Sequence, residues 1–209
     1  MPDGVLRIQG EVGVRVTDVR EYLARLEHAY NSVYAFERAI GAAERLARRW
    51  HGPVFVLDPF DWPALPTRGG RLFSAWPPSP EAIASVVPAR DRLVLRTARF
   101  ESPGFWEFLG ALNPLEVIRQ YLKDRHERRR DRAYRDAAEA RRLELENRLL
   151  ENRVIRERVE LAKSLGASDS DLTPLLNELV YRPLRALNPS QDEGTIDSAE
   201  LIQEQASRE

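Results

Sequence analysis

Thirteen consecutive residues, Lys123 to Arg135, carry seven basic and three acidic side chains. Such a density of positive charge is what phosphate-binding surfaces are made of. Lys123, Arg128, Arg129, Arg130 and Arg135 are the residues that would meet a nucleic-acid backbone. The run leads into a heptad row, the order of elements in basic leucine zippers. Against that chemistry, Asp124, Glu127, Asp131 and Asp136 would also face the phosphates. No asparagine or alanine stands at a base-reading spacing. A solvated charged face is the preferred reading, and a dimeric nucleic-acid-binding protein is the alternative.

Catalytic chemistry finds less to work with. The three histidines, His28, His51 and His126, have no metal-ligand spacing among them. Asp58 and Asp61 beside Trp62 offer a carboxylate pair of the sugar-cleaving kind, but two acids in a proline-rich loop more often close turns. Ser102, in Ser-Pro-Gly, reads as a helix cap and not as a nucleophile elbow. Gly69-Gly70 is a turn signal without a phosphate loop. With no cysteine in the chain, thiol catalysis, disulfides and thiolate zinc sites are excluded. The expectation is a protein that is not an enzyme and holds no cofactor or metal.

Self-association is the chemistry best provided for. From about Leu115 to Leu165 the chain has neither glycine nor proline, and one helix of that length would rise about 75 Å, too long for one small core. Within it Ala140, Asn147, Val154 and Leu161 recur every seven residues, with Leu143 and Leu150 beside them. A polar asparagine at an a-type position fixes register and favours dimers. The expected interface is therefore Leu143, Asn147, Leu150, Val154 and Leu161. A second row, Leu145, Leu149, Asn152, Val159 and Ala162, lies on a neighbouring face. Pairs such as Glu144–Arg148 help a rod stay helical at about 0.3–0.5 kcal/mol each and do not make an interface.

The elements that position these residues follow from periodicity. Val5–Ile8 and Val12–Val16 alternate as strands. Thr17 or Asp18 caps a core helix with Val19, Tyr22, Leu23, Leu26, Tyr30, Val33, Phe36 and Ile40 at helical spacing, running to about Trp50. Val54–Leu57 is a short strand candidate. Asp58–Pro80 holds six prolines and reads as an irregular loop, whose Trp62, Phe73 and Trp76 are candidate partner-binding residues. Glu81–Val87 is a short helix or turn, and Arg92–Phe100 a strand. Ser102-Pro103 caps a helix over Gly104–Leu112, rich in Phe, Trp and Leu, for which core packing is preferred over membrane contact. Asn113-Pro114 breaks that helix and caps the long one, which ends at Gly166. Asp169 or Ser170 caps a helix over Asp171–Tyr181, which Pro183 terminates, and Thr195–Gln205 reads as a last amphipathic helix.

The fold class is thus α+β: a small head, 1–112, with antiparallel strands and a long core helix; a helical arm, 113–166, for oligomerisation; and a C-terminal region, 167–209, of short helices. Charge divides along the same lines, with net +1 for 1–110, +4 for 111–165 and −6 for 166–209. A basic arm and an acidic tail can pair with each other or attract different partners. The start lacks the features of a signal peptide and no apolar run approaches the ~20 residues of a membrane span, so a cytoplasmic protein is expected.

Two stretches carry a resemblance: HAYNSVYAF (28–36) and FESPGFWEFLGALNPLEVIRQYLKDRHERRRDRAYR (100–135). They resemble bacterial proteins of actinobacterial type in which a small α+β head is joined to a long helix. The order of strands, an Ala-Tyr-Asn helix and a strand ending in Ser-Pro also resembles the adaptor domains of bacterial conflict systems, which are compared with the N-terminal domain of the death-domain adaptor of tumour-necrosis-factor receptors. The first resemblance covers roughly two-thirds of the chain and the second the head alone; neither lends catalytic residues. With the heptad row of the arm, the expected protein is a homo-oligomeric scaffold or signalling adaptor, most simply a dimer, whose arm sets the oligomeric state and whose head or aromatic loop binds a further protein; the resemblance to conflict-system adaptors implies a place in bacterial defence or stress signalling.

Overall fold

The computed structural model describes residues 2–10, 15–48, 77–99, 104–130 and 152–202. In chain order these form β1 (Asp3–Gly10), α1 (Val16–Ala47), α2 (Pro80–Ser85), a 3-10 turn (Ala89–Asp91), β2 (Val94–Arg99), β3 (Gly104–Ala111), α3 (Leu112–Arg130), α4 (Arg153–Ser164), α5 (Asp169–Leu176), a π-type turn (Asn177–Tyr181), α6 (Arg182–Arg185), α7 (Asn188–Asp192) and β4 (Ile196–Ile202). The class is α+β. The strands form one antiparallel sheet in the order β2-β3-β1-β4. Leu6 lies opposite Phe108 and Ile8 opposite Trp106, and all four side chains are buried, which defines the core face. From α1, Tyr22, Leu26, Tyr30, Val33, Phe36 and Ile40 are buried in the same core, as helical spacing predicts.

Two segments read as helices are strands. Residues 104–111 pair on both sides, with β1 and with β2. Their burial alternates through Gly104, Trp106, Phe108 and Gly110, a period of two that Phe105 and Leu109 on the opposite face conceal from the sequence. Residues 196–202 pair with β1 instead of forming a terminal helix. Conversely, Val16, read as the end of a strand, opens α1; Val12 and Val14 lie outside the described residues, as do Val54–Leu57 and Ser102-Pro103.

Asn113 is not a cap. α3 begins at Leu112, whose N–H donates to the Pro2 carbonyl at 2.8 Å; Pro114 sits in the first turn, where an N–H has no intrahelical acceptor. The single helix expected over 115–165 is interrupted. Asn152 has non-helical backbone (φ −57, ψ 119) and its side chain accepts the Val154 N–H at 3.1 Å, so a new helix starts at Arg153. At its other end Gly166, at φ +97, follows the cap Leu165. Ala167 N–H donates to Ala162 O and Gly166 N–H to Lys163 O, each at 3.0 Å, the pairing that closes a helix through a left-handed residue.

Ser168, not Asp169 or Ser170, caps α5, in a reciprocal box with Asp171. Pro183 does not end the helical path either. The turn before it widens, with Arg182 N–H bonding back to Asn177 O, and a wide turn relieves the clash between a proline ring and the carbonyl four residues back. Among the described residues, the spans read as head and C-terminal region share one sheet, and all three spans contribute to one core. β4 pairs with β1, and Leu115, Ile118, Leu122, Ile155, Leu172, Leu179 and Ile196 are all buried in the cluster that holds Leu6 and Phe108.

Candidate functional site

Three polar constellations and one open face emerge from this scaffold. The first latches α1 to the sheet. Tyr30 Oη donates to the Asp91 carbonyl at 2.5 Å and accepts the Ala111 N–H at 2.7 Å; Tyr34 Oη donates to Asp91 Oδ2 at 2.5 Å. Burial, reinforced by the Asp91 carboxylate, pushes both phenols up to about 12. Whatever stability their raised values contribute is complete below the ordinary 10 and lost as pH rises toward 12. Tyr34→Phe removes the donor to a buried carboxylate and is expected to lower unfolding free energy by about 2 kcal/mol, read from urea denaturation.

The second constellation is a buried clamp. Glu37 on α1 has a side chain 1% exposed and meets Arg158 Nε of α4 at 2.8 Å. Its Oε2 also accepts from Asn113 Nδ2 of α3 at 3.2 Å, while Oε1 is buried without a hydrogen bond. Burial raises the carboxyl above its ordinary value; Arg158 and Asn113 oppose that shift and Glu157 adds to it. With Ile155 and Ala162 fully buried, the clamp fixes α4 against the head.

The third joins α3 to the C-terminal region. Arg125 Nη2 donates to both carboxylate oxygens of Asp192 at 2.6 Å, His126 Nδ1 meets Asp197 Oδ1 at 2.6 Å, and Tyr121 donates to Asn188. Gln191 Nε2 donates to the Leu122 and Asp197 carbonyls at 3.0 Å each. The basic stretch and the acidic region therefore pair, in part, within one chain, and Lys123 lies 3.8 Å from Glu127.

The sheet's other face is laid out in rows. Val94, Leu109, Val5 and Ile202 stand in register across all four strands. A cleft of about 550 Å³ opens there, lined by Asp3, Gly4, Val5, Leu109, Leu112, Leu201 and Ile202. The next row is ionic: Arg7 meets Glu107 at 2.6 Å and Glu200 at 3.5 Å and stacks 4.7 Å from the Phe105 ring. The Arg7 hydrogen bond holds Glu107 below the usual carboxylate range. At the edge, Val94 and Leu95 are 51% and 46% exposed.

Of the expected interface residues, Val154 and Leu161 are partly buried against the core; Leu143, Asn147 and Leu150 lie outside the described residues. So do Trp62, Phe73 and Trp76. Of the residues expected for nucleic acid, Lys123 is exposed on α3; the side chains of Arg128, Arg129 and Arg130, and Arg135 altogether, are not among those described. His28 is held below its ordinary value by burial and then by Arg182; His51, Asp58 and Asp61 lie outside the described residues. Among the described residues, no group of three or more His, Asp or Glu could hold a metal, and no helix is long and apolar enough to cross a membrane. The Glu37 clamp was legible only as an acid set in the apolar stripe between Val33 and Ile40. Compared with known protein families, curated proteins and solved structures, the chain shows no match.

Proposed function

We propose that the protein is a non-enzymatic, homo-oligomeric scaffold or signalling adaptor. It assembles through the segment bearing Leu143, Asn147 and Leu150 and presents its α+β body to a partner protein. The observation that supports this reading is the state of α4. Val154 and Leu161, one heptad apart, are only partly buried against the head, while Ile155, Ala162 and Arg158 anchor the helix to it. An anchored helix with an apolar row left partly open is an economical platform for a second copy. Leu150→Glu is expected to weaken association while leaving the head folded, as read by circular dichroism; a variant that elutes in gel filtration and melts as the wild type does would refute the seam.

A further inference from the structure

On the footing of assembly with α4 as its platform, a reading on which it rests, we propose that α4 is a proton-operated latch. It is held to the head most firmly when the Glu37 carboxyl carries a proton and is loosened when that carboxyl ionises, so that acidity governs how firmly the platform for a second copy is presented. α4 is lightly anchored: of its twelve residues, Ile155 and Ala162 are the buried ones. It is also self-contained. The Asn152 side chain caps its start, and the Ala167 N–H closes its end on the Ala162 carbonyl, so the helix keeps its own ends when it moves. Gly166 is the pivot: it is exposed, stands at φ +97, and has nothing within 4 Å of where a Cβ would lie.

The chemistry of the anchor sets the direction. With the Glu37 side chain 1% exposed, ionising its carboxyl in place forfeits hydration that its contacts do not fully replace. Arg158 offers a single Nε contact at 2.8 Å, not a bidentate fork, and it also acts on Glu44. Asn113 stands at 3.2 Å, and Oε1 has no donor. Burial outweighs these contacts, so the carboxyl lies above its ordinary value. The other charges around α1 leave that order intact. Glu157 of α4 reinforces it; along α1, Arg38 bonds Tyr34 and Glu44 bonds Arg48. On the remaining elements packed against α1, Glu178 pairs with Arg182 at 3.0 Å and Glu81 bonds Ser79. Lifting α4 removes Arg158 but opens the carboxylate to water. The docked state therefore binds the proton more tightly, and docking weakens as pH rises through the docked value.

The test follows the full chain from about pH 5 to about pH 8, the side of the ordinary carboxylate range on which a raised carboxyl titrates. Two quantities are read: amide-exchange protection factors, which remove the intrinsic pH dependence of exchange, and mass in solution. Protection across α4 should fall as pH rises while that of β1 and β3 holds, and the mass should fall with it. Glu37→Gln keeps the side chain's shape but cannot ionise, and both trends should be lost. Arg158→Gln, at a partly exposed position, should carry the fall in α4 protection to higher pH. Four results would overturn the proposal: α4 protection independent of pH, β1 and β3 losing protection in step with α4, a pH dependence that survives in Glu37→Gln, or an oligomer whose mass ignores the opening of α4. An oligomer with a pH-independent α4 sinks the latch and spares the scaffold. A chain monomeric at every pH, whose α4 loosens only when residue 37 can ionise, supports the latch and refutes the scaffold.

Discussion

Arg158→Ala should lower the unfolding free energy by about 3 kcal/mol, the lower end of what breaking a buried ion pair costs. The lower end applies because Arg158 is 30% exposed whereas Glu37 is 1% exposed. The loss comes from the stranded partner: Asn113 alone would remain to serve a carboxylate with one oxygen already without a bond. The pH dependence has a definite sign. Burial raises the Glu37 carboxyl above 4.5. A carboxyl raised on folding contributes stability that is complete below its unfolded value and lost as pH rises through its folded value. Removing Arg158 raises it further, so the deficit of the variant should grow from acidic to neutral pH. Replacing both partners, Glu37→Leu with Arg158→Leu, should be much milder than the single change. Urea denaturation of the three variants at two pH values checks this; a deficit independent of pH, or a double variant as unstable as Arg158→Ala, would remove the clamp from the account.

Gly10→Ala should cost about as much, near 3 kcal/mol, as overpacking of a rigid site does. A Cβ at Gly10 would lie 2.0 and 2.3 Å from two atoms of the Trp106 ring. That ring cannot simply retreat, since it is 3% exposed and its centroid stands 5.6 Å from the Tyr22 ring. Gly10 is also where the pairing of β1 with β4 shifts register, so the displacement should reach the sheet edge. The expected signature is a lowered melting temperature together with a changed near-ultraviolet signal from Trp106. Gly41→Ala, whose nearest neighbour would be the flexible end of Arg45 at 3.5 Å, is the control and should be close to neutral.

α1 was legible because its apolar residues repeat with a single period, and β1 because Leu6 and Ile8 alternate with Arg7 beside the β-branched Val5. β3 was not, because Phe105 and Leu109 fill its second face and two of its buried positions, Gly104 and Gly110, show no hydrophobicity. β4 misled for a related reason: Ile196, Ala199 and Ile202 are spaced by three, a helical spacing, while backbone pairing with β1 decides the strand. Asn152 falls within a helical row of the sequence, although an asparagine two residues before Val154-Ile155 is also an N-cap signal; only the backbone shows which role holds. The polar sites were the least legible. Glu37, Asn113 and Arg158 lie 76 and 121 positions apart, and no local pattern joins them. The charge asymmetry was legible as a whole, but not that Arg125 and His126 would answer Asp192 and Asp197.

The most direct test of the scaffold reading is the mass of the full chain in solution, by light scattering across a range of concentrations. The expected result is a small multiple of the 24.0 kDa chain mass, twice that value for a dimer, falling toward 24.0 kDa in Leu150→Glu. A wild-type chain that stays at 24.0 kDa throughout would contradict it.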